Sequence, residues 1–353
     1  MVSLVPLDSV QYPPRCKPGD RVALVSPSAG LPGMFPHVHE LGVRRLIDDF
    51  GLVPVEYETT RRMNSSPEDR AADLMRAFRD PSIRVIMATI GGDDQITILR
   101  HLDPAVIAEN QKPFFGYSDN TNLLNYMLGL GVVSFHGGST MVHLGRSGRM
   151  HERTTASLRA ALFEGGMFDF EPVDRFAVNA LPWDDPTNLE TEAPTYRASP
   201  CTWHGDPSVV EGRLWGGCLE ILDWTFQVGR YVGPTEYYLK SLLFIETSEE
   251  MPSAEYVYRT LRNLGERGVL EAIAGLVVAR PASEPFGTRA TDEEILEFEN
   301  SQRDAILRVT DRYHPGLPIV IGIDAGHTDP QLILPIGGIA KLDCGSQTFK
   351  VRY

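Results

Sequence analysis

Short runs of β-branched and aliphatic residues alternate with segments of helical period through the first third of the chain. Arg21 to Ser26 (RVALVS) reads as a strand broken by Pro27-Ser28-Ala29-Gly30. A helix is expected over His37 to Phe50, a strand over Leu52 to Tyr57, a helix over Pro67 to Phe78, and a strand over Arg84 to Ile90, which Gly91-Gly92-Asp93-Asp94 ends. Apolar strands separated by helices call for an α/β fold with a mostly parallel sheet covered on both faces. Ligands on such sheets sit beyond the carboxyl ends of the strands. Three of those ends are Ser26 to Gly30, Gly91 to Asp94 and Gly116 to Asp119.

The third of these ends lies in Lys112 to Tyr126, KPFFGYSDNTNLLNY, which reads strand, sharp turn, helix, with Ser118 at the corner. A serine held there is lifted out of the sheet, and the amides that open the helix face whatever its hydroxyl attacks. Ser, Asp, Asn and Thr are also good helix caps, and on this stretch alone capping is the simpler account of Ser118.

Val132 to His136 reads as one more strand and Glu152 to Phe163 as a helix. From about Asp169 to Pro207 the period dissolves into a stretch rich in Pro, Asp, Thr and Trp. Loops of that length serve as lids or linkers, and Trp183 and Trp203 suit a lid, or equally two anchors that pack a linker. Beyond it, the second half begins at Val209 to Trp215, with strands expected at Leu242 to Glu246, Ala274 to Val278 and Ile319 to Ile323 and helices over Ser253 to Leu264 and Asp292 to Thr310. A length of 353 residues fits about two domains. The boundaries expected are an N-terminal domain over 1–168, a linker with a Trp-bearing loop over 169–207 and a C-terminal domain over 208–353.

Composition narrows the function. Hydrophobic content of 42% and charged content of 23% are those of a soluble globular protein. A net charge of -14 disfavours a nucleic-acid polymer or an anionic membrane as partner. With no signal-type leader and no apolar run of membrane-spanning length, a cytoplasmic location is expected. Cys16, Cys201, Cys218 and Cys344 have no CxxC spacing, so reduced thiols are expected. Asp93, Asp94 and Asp324 carry no metal-site spacing and suit turns and caps.

If Ser118 is a nucleophile it needs a base of near-neutral pKa. His136 and His143 follow it closely in sequence, and among the nine histidines the residues alone give His327 no lead over them. Glu246 ends an apolar strand, and a carboxylate buried there has to be paired; it ranks above Glu249 and Glu250, which read as acids of a solvated turn.

Three signatures then stand in a fixed order: GYSDNT around Ser118, LLFIETSEE around Glu246 and GIDAGHTDPQLILPIG around His327. Together they resemble the LD-carboxypeptidase family of serine peptidases, which includes muramoyl-tetrapeptide LD-carboxypeptidases and microcin C immunity proteins. The similarity runs from GDRVALVSPSAG to the last strands. The resemblance implies an N-terminal α/β domain with the nucleophile elbow, a smaller C-terminal α/β domain, and homodimers. It implies a Ser118-His327-Glu246 triad, an oxyanion hole from the backbone N–H groups of Gly92 and Asp119, and substrate contacts at Gly91 and Trp183, with no metal and no organic cofactor.

Two features resemble the immunity branch: ATIGGDDQ in place of an Arg-Gly-Gly loop, and Trp183, similar in position to a loop tryptophan that stacks on a nucleobase. The activity implied is cleavage of an amide joining a peptidyl or aminoacyl group to a nucleotide-like moiety. Trimming of murein tetrapeptide is the alternative, and a binding protein without turnover a third. One departure is Gly216-Gly217-Cys218, where many members have Gly-Gly-Asn; a thiol lacks the amide's strong donor and acceptor.

Overall fold

The structure is a computed structural model that describes residues 4–178, 181–285 and 287–353. Strands β1 (Arg21–Val25), β2 (Val53–Glu56), β3 (Ile83–Ala88), β4 (Phe114–Gly116) and β5 (Ser134–His136) lie in the order β5-β4-β3-β1-β2. All four pairings are parallel. Helices α1 (Pro36–Asp48), α2 (Pro67–Arg79), α3 (Pro104–Glu109) and α4 (Thr121–Gly129) make the crossovers. Val22 to Val25 and Val85 to Ala88 are buried without alternation, as expected of strands covered on both faces.

After α5 (Glu152–Arg159) come β6 (Met167–Asp169), a two-residue ladder of β7 (Arg175–Phe176) with β8 (Tyr196–Arg197), and β9 (Thr202–His204). Then follow β10 (Val209–Cys218), α6 (Leu219–Val228), β11 (Leu242–Glu246), α7 (Ala254–Glu266), α8 (Val269–Ala272), β12 (Gly275–Ala279), α9 (Asp292–Tyr313) and β13 (Ile319–Ile323). The chain ends in β14 (Leu334–Ile336), β15 (Ile339–Asp343) and β16 (Thr348–Arg352). The second sheet has the order β6-β16-β15-β10-β11-β12-β13-β9. Its centre, β10 to β13, is parallel, and the outer pairings are antiparallel. The acidic first turn of α9 is fixed by a capping box between Thr291 and Glu294.

Two strands cross between the halves. β14 leaves its C-terminal neighbours and pairs antiparallel with β5, Leu334 opposite His136. β6 in turn joins the edge of the second sheet through β16. One buried apolar cluster accordingly runs through both sheets. Among the described residues no helix is long and apolar enough to cross a membrane.

The 169–207 stretch does not act as a single lid. Trp203 lies in β9, opposite Val320 of β13, and packs against the core, so it is part of a sheet edge. α6 has no forerunner in the sequence reading, because Gly216-Gly217 directly before it break the pattern and only its buried face, Leu219, Ile221, Leu222 and Phe226, marks it as a helix.

Candidate active site

β4 ends at Gly116, Tyr117 is extended, and Ser118 turns the chain at φ 61°. That left-handed conformation costs a residue with a Cβ about 1–2 kcal/mol. A buried polar frame holds it. Asn120 Nδ2 donates to Tyr117 O at 3.0 Å and Ile90 O at 3.1 Å, and Gln95 Nε2 donates to Asn120 Oδ1 at 2.7 Å. Gln95 Oε1 accepts from Leu123 N at 3.0 Å, and Asn122 Nδ2 donates to Asp119 Oδ1 at 2.9 Å. The residues that resemble caps therefore brace the elbow, and no side chain caps α4. Asp119 and Asn120 are buried, while Ser118 between Tyr117 and Asp119 is half-exposed.

The Gly91-Gly92 loop lies against this corner. A Cβ on Gly91 would stand 2.8 Å from Ser118 Cβ, 3.0 Å from its Oγ and 3.4 Å from Asp119 N. Gly92, at φ 154°, has no space either, since a Cβ would run to 2.2 Å from Ser28 Oγ. Ser28 Oγ donates to Asp119 Oδ2 at 2.5 Å, and Gln95 N to the same oxygen at 2.8 Å. Burial pushes the Asp119 carboxyl up to about 6, against the hydrogen bonds from Ser28 and Gln95. Gly91 thus meets Ser118 and Asp119 directly, and Gly92 meets Ser28, which bonds Asp119.

Glu246 closes β11 and is buried. His327 Nδ1 donates to its Oε2 at 2.6 Å, and His136 Nε2 donates to its Oε1 at 3.4 Å. Gly326, at φ 78°, lets the histidine loop come this close, for a Cβ there would sit 2.7 Å from Glu246 Cβ. Burial pushes Glu246 up, but the two histidines outweigh it and hold the carboxyl down at about 2. Burial pushes His327 down, and Glu246, then Glu249 and Glu220, outweigh that and hold it at about 9.

Tyr117, the residue before Ser118, packs its ring 4.8 Å from that of His327, which brings the elbow and the Glu246–His327 pair together. His327 Nε2 faces Glu249 Oε2 at 3.2 Å. Among the described residues no hydrogen bond joins Ser118 Oγ to His327. Of the rival histidines, His136 lies behind Glu246, and His143 is buried against Tyr117 and pushed down to about 3, chiefly by burial. Sequence reasoning missed both His136 as a second partner of Glu246 and Glu249 as a neighbour of His327.

A cavity of about 50 Å³ opens beside His327, between Tyr117, His143, Arg146 and Ser147 on one side and Thr328 and Asp329 on the other. Arg146 forms an ion pair with Asp329. The 169–207 stretch borders this cavity through Ala177, Val178 and Ala193. Trp183 is not among its lining residues. The indole packs edge-on against Phe35 at 5.6 Å, and the Trp183 carbonyl accepts from His37 Nε2 at 2.6 Å. Cys218 is buried beside Glu246 in the sheet register, with its Sγ 3.5 Å from Glu220 Oε2. No group of three metal-ligating side chains occurs among the described residues.

A strained serine elbow on one α/β unit, facing a carboxylate–histidine pair on a second, is the arrangement of a two-domain serine peptidase. Residues 22–137 match the LD-carboxypeptidase N-terminal domain and residues 211–342 the LD-carboxypeptidase C-terminal domain, and the chain belongs to the LD-carboxypeptidase family of serine peptidases. It is 25% identical over 290 residues to the microcin C7 self-immunity protein MccF of Escherichia coli, covering 80% of this chain and 78% of that one. It is 26% identical over 348 residues to a Bacillus subtilis protein named "probable murein peptide carboxypeptidase", covering 96% and 94%. An MccF-like protein from Streptococcus pneumoniae, solved in complex with AMP, superposes with a TM-score of 0.83 at 26% identity, covering 95% of this chain and 99% of that one.

Proposed function

We propose that this peptidase cleaves an amide between a peptidyl or aminoacyl group and a nucleotide-like moiety, with Ser118 as nucleophile, His327 as base and Glu246 as its orienting carboxylate. The observation that carries the mechanism is Ser118 held at φ 61° against Gly91-Gly92, across from the 2.6 Å Glu246–His327 contact. Ser118 Oγ attacks the carbonyl as its proton passes to His327 Nε2. Glu246 fixes Nδ1 as the protonated nitrogen and stabilises the imidazolium. The N–H groups of Gly92 and Asp119 receive the developing oxyanion. The imidazolium then protonates the leaving amine, and water, deprotonated by the same ring, releases the acyl group from Ser118. The nucleotide class rests on the likeness to MccF and to the AMP-bound relative.

A second reading, removal of a terminal amino acid from murein tetrapeptide, is favoured by the likeness to the Bacillus relative. Hydrolysis of an aminoacyl-nucleotide conjugate and of murein tetrapeptide, each followed by mass spectrometry with wild type and Ser118→Ala, separates the two. Cleavage of the conjugate alone, lost in the variant, supports the first; cleavage of the tetrapeptide alone replaces it with the second. Tight binding of either without acylation of Ser118 would make the protein a binder. Homodimer formation and a cytoplasmic location belong to the same reading, and light scattering and cell fractionation test them.

A further inference from the structure

His327 has two ring nitrogens, and both are taken by carboxylates: Nδ1 by Glu246 at 2.6 Å and Nε2 by Glu249 at 3.2 Å. A serine hydrolase needs Nε2 free to receive the nucleophile's proton. The two acids differ in exposure. Glu246 is the buried end of a central strand, whereas the Glu249 side chain is 56% exposed. The backbone that carries Glu249 is fixed, because the preceding Ser248 donates from both N and Oγ to buried Glu220 Oε1, at 2.9 and 2.6 Å. An exposed carboxylate on an anchored turn can engage and release a fixed ring.

We propose that Glu249 is a positioning residue that competes with Ser118 for Nε2 of His327, holding the ring as a closed imidazolium until substrate displaces the carboxylate. The inference rests on His327 being the base assigned above.

The groups around the ring are consistent with that role. Glu246 ends β11, Glu249 follows it, Glu220 stands in the first turn of α6, and Tyr117 comes from the elbow. His143 is neutral, His136 lies on the far side of Glu246, and Arg146 and Asp329 neutralise each other across the adjacent cavity. Among these, Glu249 is the exposed carboxylate, free to return to solvent while Glu246 keeps its contact with the buried ring. Its departure removes one of the carboxylates that raise His327 above its ordinary range. The ring is then both sterically open and less basic.

The test is a titration of the His327 ring by histidine-labelled NMR on the full chain, its resonance assigned by its loss in His327→Gln, together with the pH dependence of Ser118 acylation by a fluorophosphonate probe. In Glu249→Gln the His327 midpoint is expected to fall by a unit or more, a tenfold weaker hold on the proton, the size of effect a carboxylate at this distance exerts. The acid limb of the acylation rate should move down with it, and Glu249→Asp should restore part of the shift. A midpoint and acid limb unchanged in Glu249→Gln, with Ser118 still acylated, overturn this proposal alone. If Ser118 is not acylated at any pH in either protein, the catalytic reading falls and this one with it.

Discussion

A methyl group on Gly91 would lie 3.0 Å from Ser118 Oγ and 2.8 Å from its Cβ. The loop and the elbow are therefore too close to admit a side chain at position 91 without a shift. If Ser118 is the nucleophile, as proposed, Gly91→Ala places an atom beside the attacking oxygen, without demanding a left-handed backbone. Acylation by a serine-directed probe should fall at least about a hundredfold, the scale on which a small misplacement of reacting groups acts. The accompanying loss of stability should stay within about 1–3 kcal/mol, as for modest overpacking. Normal labelling of Gly91→Ala would place the reacting carbonyl elsewhere.

The conformation of Ser118 makes a distinct stability prediction. Ser118→Ala and Ser118→Gly should both abolish turnover, but only glycine relieves the left-handed strain of about 1–2 kcal/mol. Set against the greater chain entropy that glycine adds to the unfolded state, about 0.5–1 kcal/mol, Ser118→Gly should be the more stable of the two by up to about 1.5 kcal/mol. Urea unfolding of the pair measures this directly, and a clear advantage for alanine would show that the elbow is unstrained.

Glu246 accepts from His327 on one oxygen and His136 on the other. Glu246→Gln preserves the volume but presents an amide donor to one histidine and removes the charge. By analogy with other carboxylate–histidine–serine sites, turnover should drop by about 10⁴, with Ser118 still present and the fold retained by circular dichroism. A drop of only a few fold would mean that the carboxylate is structural.

The raised affinity of His327 for a proton also links the site to stability. Its value of about 9 in the fold stands above the ordinary 6.5. The native state therefore binds this proton more tightly than the unfolded chain does. The stabilisation is complete below 6.5 and fades as pH rises through 9. The wild-type unfolding free energy should decline between those limits, and His327→Gln should flatten the decline. Parallel curves for the two proteins would exclude a protonated His327.

Trp183 packs on Phe35, and the nucleotide reading requires its ring to swing onto a base. Trp183→Ala should then weaken turnover of an aminoacyl-nucleotide conjugate through KM, by the equivalent of about 1–3 kcal/mol for a lost stack. Murein tetrapeptide hydrolysis should be untouched. Equal effects on both substrates would reduce the ring to packing of α1.

Much of the fold is legible wherever the signal is local. Leu242–Glu246 and Ile319–Ile323 read from sequence with the same bounds the structure has, because an unbroken apolar run between turn signals determines them. The start of α7 is likewise visible, where Ser253 accepts from Tyr256 N. What depends on distant partners is not. Nothing near Trp203 says that it will pair with Val320, and nothing in TSEE says that Glu249 will reach a histidine 78 positions away while Glu250 does not. Ser118 is the instructive case. Its neighbours look like caps because Asp and Asn bond backbone amides, and they do bond backbone, but to hold a strained turn rather than to open a helix.

The crossing of β14 onto β5 adds a mechanical consequence. His327 lies seven residues before Leu334, whose partner His136 terminates the strand beside the elbow strand. The loop bearing the histidine is thus moored at its downstream end to the same sheet that presents the serine. A slip of one residue in that ladder would displace the mooring by about 3.3 Å and turn its side chains to the other face. Ser118 and His327 are kept in step by a strand that belongs to one half in sequence and to the other in space, so the distance between the serine and the histidine is set by hydrogen-bond register rather than by how two independent bodies happen to dock.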